Sequence, residues 1–149
     1  MDDGKMSMNK ISGTVSFFMK VTNGLAVTET NYNTSGILYK KNDKYYLFFN
    51  ETNFDDNSIT KCRIEFNHDE TRVRRDGQVI IDQTYRTSDL VRGYIKTIYG
   101  QLISEVKTHC YMLEENDTFI RLTLDYDLFV SDERSGNYKL IIQFNKEDI

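Results

Sequence analysis

The chain of 149 residues has no proline and no tryptophan, only two cysteines, and a formal net charge of −4 with a sequence pI near 5.2. Each shortage closes a class of function. Without a proline-rich or otherwise biased composition, and with 39% hydrophobic residues, the chain is not a disordered segment but an ordinary folding sequence. Two cysteines, Cys62 and Cys110, cannot build a disulfide framework; the expectation is two reduced, mostly buried thiols. The lack of basic excess removes any overall attraction to phosphate backbones or anionic lipid, so neither nucleic acid nor a membrane is an expected partner. No apolar run is long enough to span a bilayer, and the N-terminus, MDDGKMSMNK, carries acidic residues where a signal peptide has a basic and then an apolar region. The expected setting is the cytoplasm. The triplets at Asn33, Asn50 and Asn116 match the glycosylation pattern but carry no weight without secretion.

What the chain does have is aromatic and branched residues, with ten Tyr and nine Phe, in patterns of period two. Its length suits one core and hence one domain, expected over residues 10–145 after a disordered leader at 1–9. The clearest local signal is Thr34 to Glu51, TSGILYKKNDKYYLFFNE, which reads as two strands about an Asn42-Asp43 turn. Before it, Ile11 to Met19 alternates apolar with mostly hydroxylic residues, and Asn23-Gly24 turns into a strand over Leu25 to Tyr32. After it come Ile59 to Phe66, then Thr71 to Arg74, the turn Arg75-Asp76-Gly77, and Gln78 to Tyr85.

The segment 87–100 has two readings. Leu90, Val91, Tyr94, Ile95, Ile98 and Leu102 fall near a helical stripe, yet Gly93, Gly100 and four β-branched residues oppose a helix, so the expectation is a loop to Arg92 and a strand from Tyr94. Leu102 to Leu113 and Phe119 to Val130 are the longest strand candidates. In the second, Ile120, Leu122, Leu124, Tyr126, Leu128 and Val130 share one face, a repeat no helix could satisfy. A polar loop from Ser131 to Asn137 precedes the last strand, Tyr138 to Phe144. Strands in hairpin order at spacings of roughly 8–12 residues predict an all-β fold, a single antiparallel up-and-down β-barrel of about 8–10 strands in which closure removes exposed edges.

Thr34-Ser35-Gly36, Tyr39, Tyr46, Glu51, Thr60 with Arg63 three residues on, Val73, Arg75, Gly77 and Tyr99-Gly100 occur in an order and spacing that resembles the YwiB-like family. That is a small bacterial family of uncharacterised proteins with a lipocalin-like (calycin) barrel. The resemblance runs from about Ser16 to Phe144 and departs mainly at a polar stretch over Asn67 to Glu70. It implies the barrel and a cytoplasmic bacterial setting, and it carries no activity.

The residues themselves offer little for catalysis. His109 and Cys110 are neighbours on a strand and are expected on opposite faces, and Cys62 with His68 would need a bend to meet. Asp125 and Asp127 share a strand face, and Asp55 and Asp56 a loop, but no motif of metal-ligand spacing organises them. Isolated glycines supply no phosphate loop. No metal and no cofactor are expected. Lys40, Lys41 and Lys44 beside Tyr45, Tyr46, Phe48 and Phe49 could stack bases in principle, but the acidic balance favours tip protection and core packing. The barrel interior is the remaining place for function. Glu51, Thr60, Arg63, Arg75 and Tyr99 are the candidate ligand-binding residues there, combining opposite charges with hydroxyls. The same residues could instead form an internal ion pair, Glu51 with Arg63 or with Arg75. The leading expectation is a non-catalytic protein binding a small, partly apolar or anionic ligand, as a monomer or homodimer. The alternative is a packed barrel acting as an interaction or dimerisation module.

Overall fold

A computed structural model describes residues 8–147. Ten strands follow one another in the chain: β1 (Met8–Asn23), β2 (Ala26–Lys41), β3 (Lys44–Asn53), β4 (Ser58–Phe66), β5 (Thr71–Asp76), β6 (Ile80–Tyr85), β7 (Leu90–Thr97), β8 (Gly100–Glu115), β9 (Phe119–Val130) and β10 (Glu133–Lys146). Every strand pairs antiparallel with its sequence neighbours, and β1 pairs with β10 to close the barrel. The architecture is an up-and-down barrel, and all its strands belong to one closed sheet.

The β2–β3 hairpin forms as its sequence directs. Lys41 opposes Lys44 across the two-residue turn Asn42-Asp43, and Asn42 takes the positive φ of 58° that Asn tolerates. Tyr45, Leu47 and Phe49 point into the core, while Tyr46 and Phe48 face out. The segment at 87–100 is strand and turn, but β7 starts at Leu90 where a loop to Arg92 was expected; Val91 is buried against the core and Arg92 pairs with Glu105 outside.

Several elements run longer than the pattern of apolar residues. Strand β1 extends to Asn23, and Met8 and Asn9 already oppose Lys41 and Lys40, so the expected leader begins to pair two residues early; its first seven residues lie outside the described residues. The expected strand at Leu25–Tyr32 and the hairpin arm after it are one strand, β2. Strand β5 continues through Arg75 and Asp76, which oppose Cys62 and Lys61, and the turn falls at Gly77 to Val79. Strand β10 begins at Glu133 because a bulge at Ser135 lets the polar stretch keep pairing with β9.

A second bulge, at His109 on β8, corrects the reading of the thiols. Thr108 opposes Tyr126 and Cys110 opposes Asp125, so His109 is the extra residue and alternation slips by one. Cys110 therefore faces solvent beside His109 rather than the core, while Cys62 is buried.

Packing is uneven along the barrel axis. At the end formed by the β2–β3, β4–β5, β6–β7 and β8–β9 turns, Leu38, Leu47, Ile64, Ile120, Leu122, Leu124 and Phe144 are all buried and fill the interior. Tyr45 stacks on Phe66 with centroids 5.3 Å apart and donates to Glu115, and the Tyr111 hydroxyl donates to the Asn67 carbonyl at 2.7 Å, closing that end. Toward the other end the same inward positions loosen: along β9, Tyr126 is buried whereas Leu128 and Val130 are half-buried.

Candidate functional site

The loosely packed half of the barrel encloses a cavity of about 330 Å³. Its wall is mainly aliphatic and aromatic, including Met19, Phe49, Ile64, Val73, Ile95, Leu128, Val130 and Leu140. Among the described residues Arg75 is the one charged side chain lining it. Arg75 and Ile81 also line an adjoining recess of about 420 Å³ whose other walls are, apart from Val79, polar: Glu51, Thr52, Asn53, Ser58, Thr60 and Gln78. An apolar hollow thus passes, across one guanidinium, into a hydrogen-bonding recess.

The strand registers explain this convergence. Glu51 on β3 directly opposes Thr60 on β4, and Cys62, two residues along, opposes Arg75 on β5. All four positions point inward by the period-two rule. Arg75 donates to the Glu51 carboxylate through Nη2. Both are partly shielded, with side-chain exposures of 34% and 25%, so the pair is neither a surface bridge nor a fully desolvated one. Gly77 follows because a Cβ there would collide with the Thr60 hydroxyl.

Beside this pair β2 and β3 part company. They pair only from Gly36–Phe49 to Lys41–Lys44, so Ala26 to Ser35 have β1 on one side and no strand on the other. Tyr32 lies in this gap, stacked on Phe17 with centroids 4.8 Å apart. Its hydroxyl is buried without a hydrogen-bond partner. Burial, followed by the Glu51 charge, pushes its pKa well above the ordinary tyrosine range, so it stays a neutral hydroxyl.

Of the remaining inward polar groups, the Thr108 hydroxyl is also buried without a partner, whereas those of Gln83 and Ser104 are bonded. Gln83 bridges a second narrow place, donating to the Thr84 and Val91 carbonyls at 2.9 and 3.1 Å and accepting from Ser104 Oγ at 2.7 Å. Tyr126 stacks on Tyr138 and meets Tyr85, whose pKa burial pushes up to about 12.

Large apolar side chains are exposed around the rim of this end. Leu25, Phe54, Val79 and the pair Ile98-Tyr99 project from the β1–β2, β3–β4, β5–β6 and β7–β8 turns. The turns at the packed end carry Asn42-Asp43, Asn67 to Glu70, Arg86 to Asp89 and Asn116 to Thr118 instead.

Of the residues expected inside, Glu51, Thr60 and Arg75 come together, and two do not. Arg63 faces outward: it bridges to Glu65 at 2.8 Å and lies over the Phe48 ring at 5.8 Å, because its position has the opposite parity to Cys62 and Ile64. Tyr99 stands almost fully exposed on the β7–β8 turn, its backbone N–H bonded to Thr97 Oγ1 at 3.1 Å. Tyr32 and Gln83 escaped the sequence reading. Gln83 had a signal, as the polar member of the inward set Ile81, Gln83, Tyr85; Tyr32 had none, because its role depends on where β3 leaves β2.

His109 bonds Asp127 at 2.9 Å on the outer wall, and His68 is exposed near Glu115, so neither reaches the cavity. Burial pushes the Cys62 thiol up despite Arg75, the opposite of an activated nucleophile. Among the described residues no three His, Cys, Asp or Glu converge to hold a metal ion.

Comparison with known proteins agrees with this architecture. No curated protein matches the chain. The crystal structure of the ywiB protein from Bacillus subtilis superposes with a TM-score of 0.82 over 97% of this chain and 98% of that one, at 18% identity. That likeness establishes a shared barrel. A family model described as a domain of unknown function, DUF1934, matches residues 15–142, nearly the whole barrel. The chain is a member of the DUF1934 family, the YwiB-like barrels.

Proposed function

We propose that the protein is a non-catalytic binding protein for a small amphiphile, whose apolar part occupies the cavity and whose polar end meets Glu51, Thr60 and Arg75. The observation that carries this is the cavity of about 330 Å³, mainly apolar and with a single charged side chain, Arg75, at its junction with a more polar recess. A barrel selected for stability alone would fill that volume, since each unfilled methylene-sized space forfeits contacts. The half-buried state of Leu128 and Val130 marks surface kept available. The charged outer faces, such as Arg121, Asp125 and Asp127 on β9, suit a protein surrounded by water, consistent with residence in the cytoplasm. Among the described residues no helix is long and apolar enough to cross a membrane.

Native mass spectrometry of the protein purified from its own organism tests the proposal. A co-purifying small molecule, lost when Val130→Trp fills the cavity, is the expected result. A mass equal to the bare chain for both proteins, with no amphiphile taken up in vitro, would refute it.

A second reading has its own observation. The unpaired β2 edge from Ala26 to Ser35 lies close to the exposed rim residues Leu25 and Val27, a place where a second copy could add a strand. Sedimentation at increasing concentration distinguishes this: a dimer abolished by Thr30→Pro favours an interaction module, and a monomer throughout disfavours it.

A further inference from the structure

The ion pair at the cavity mouth constrains what the polar end of a ligand can be. Glu51 and Arg75 contact each other directly, and both reach the recess. An anionic head that takes Arg75 must lie beside the Glu51 carboxylate. A cationic head that takes Glu51 must lie beside the guanidinium. In a partly shielded site each arrangement sets like charges together, which is the usual means of rejecting a wrong partner.

An uncharged head meets no such penalty. Among the described residues the guanidinium donates to Glu51 through Nη2 and lies beside the Cys62 thiol, and its fork holds further N–H donors. The carboxylate keeps a second oxygen as acceptor, and the Thr60 hydroxyl opposite it can both donate and accept. Next to them the buried Tyr32 hydroxyl, beside the Glu51 carboxylate but without a well-formed hydrogen bond, can also turn to a ligand. The set therefore holds donors, acceptors and no net charge, matched by a head that is itself both donor and acceptor.

Resting on the reading of the cavity as a ligand site, we infer that the ligand is an uncharged amphiphile with a hydroxylated head, of the monoacylglycerol or alkyl-polyol kind, rather than a fatty acid or an alkylamine. The cavity, at roughly 30 Å³ per water-sized group, has room for about ten such groups, a medium-length chain.

Three probes with one tail test it: 1-monooctanoylglycerol, octanoate and octylammonium, titrated calorimetrically at neutral pH below their micellar concentrations. The glycerol ester is expected to bind at least about tenfold more tightly than either ion. Glu51→Gln, which leaves Arg75 without its counter-charge, is expected to turn the preference toward octanoate by about tenfold or more. If that variant fails to fold, Thr60→Val serves, with a loss confined to the glycerol ester. Octanoate or octylammonium binding the wild type as tightly as the ester would overturn the assignment of the head while leaving the cavity reading intact. If none of the three binds, both fall together.

Discussion

The barrel should respond to the same mutation very differently at its two ends. Leu124 and Leu128 lie on one strand, four residues apart, and both point inward; Leu124 is wholly buried, whereas Leu128 is half-buried against the cavity. Leu124→Ala removes three carbons from a filled region. At about 0.8 kcal/mol per carbon group, the lost transfer free energy is roughly 2.4 kcal/mol. The rigid walls add a cavity term, bringing the total to about 3–5 kcal/mol. Leu128→Ala only widens a space that already exists. Part of its surface contributes nothing to the transfer term, and no new void opens among packed neighbours, so the cost is about 1–1.5 kcal/mol. Urea denaturation followed by circular dichroism measures both, and in a domain of this size the gap corresponds to roughly 4–14 °C in Tm. Equal losses at the two positions, or a larger loss at Leu128, would refute the assignment of a packed half and a hollow half. The measurement must be made on protein freed of bound amphiphile, because a ligand in the cavity adds its own binding free energy to stability.

The remaining predictions concern the sheet, its charges and its thiols. Gly93→Ala should destabilise by about 1–3 kcal/mol, seen as a lower urea midpoint, because a Cβ there strikes the Asp82 carbonyl and the Gln83 side chain. Hydrogen bonds from Arg72, opposed by desolvation and helped by Arg74, hold the Asp82 carboxyl below its ordinary 3.8. A depressed folded-state pKa means the contribution is complete above the unfolded value and disappears as pH falls through the folded one. Asp82→Asn should therefore cost about 1 kcal/mol at neutral pH, after allowing for the half-exposed Arg72, and the two proteins should converge in acid titrations as pH falls through the depressed folded-state value. A gap that persists unchanged into acid would contradict the ion-pair account. In native protein an aromatic disulfide reagent should label Cys110 rapidly and Cys62 only on unfolding, as located by peptide mass; equal rates would contradict the placement of Cys62 in the wall of the cavity.

Alternation was enough to recover most of the barrel. The six inward residues of β9 and the Asn42-Asp43 hairpin were legible because side chains on a strand alternate strictly and a two-residue turn demands a residue that accepts positive φ. The same rule misplaced Cys110, since one extra residue at His109 reverses every later side chain and nothing local in the sequence marks it. It also argued against Arg63 from the start: next to Cys62 and before Ile64, an Arg at the intervening position belongs outside.

Sequence alone determined the class of fold and the pairing of neighbouring strands, because hydrophobic period and turn chemistry act over a few residues and hairpin order leaves few topologies, while the order of its short motifs carried the resemblance to the family. The tertiary structure decided how the interior is arranged. Whether Glu51 met Arg63 or Arg75, whether Tyr32 found a partner, and whether the inward residues filled the barrel all depended on how the strands curve and where β2 and β3 separate. Those are sums over the whole closed sheet, and packing volume at its centre is set by residues from every strand at once.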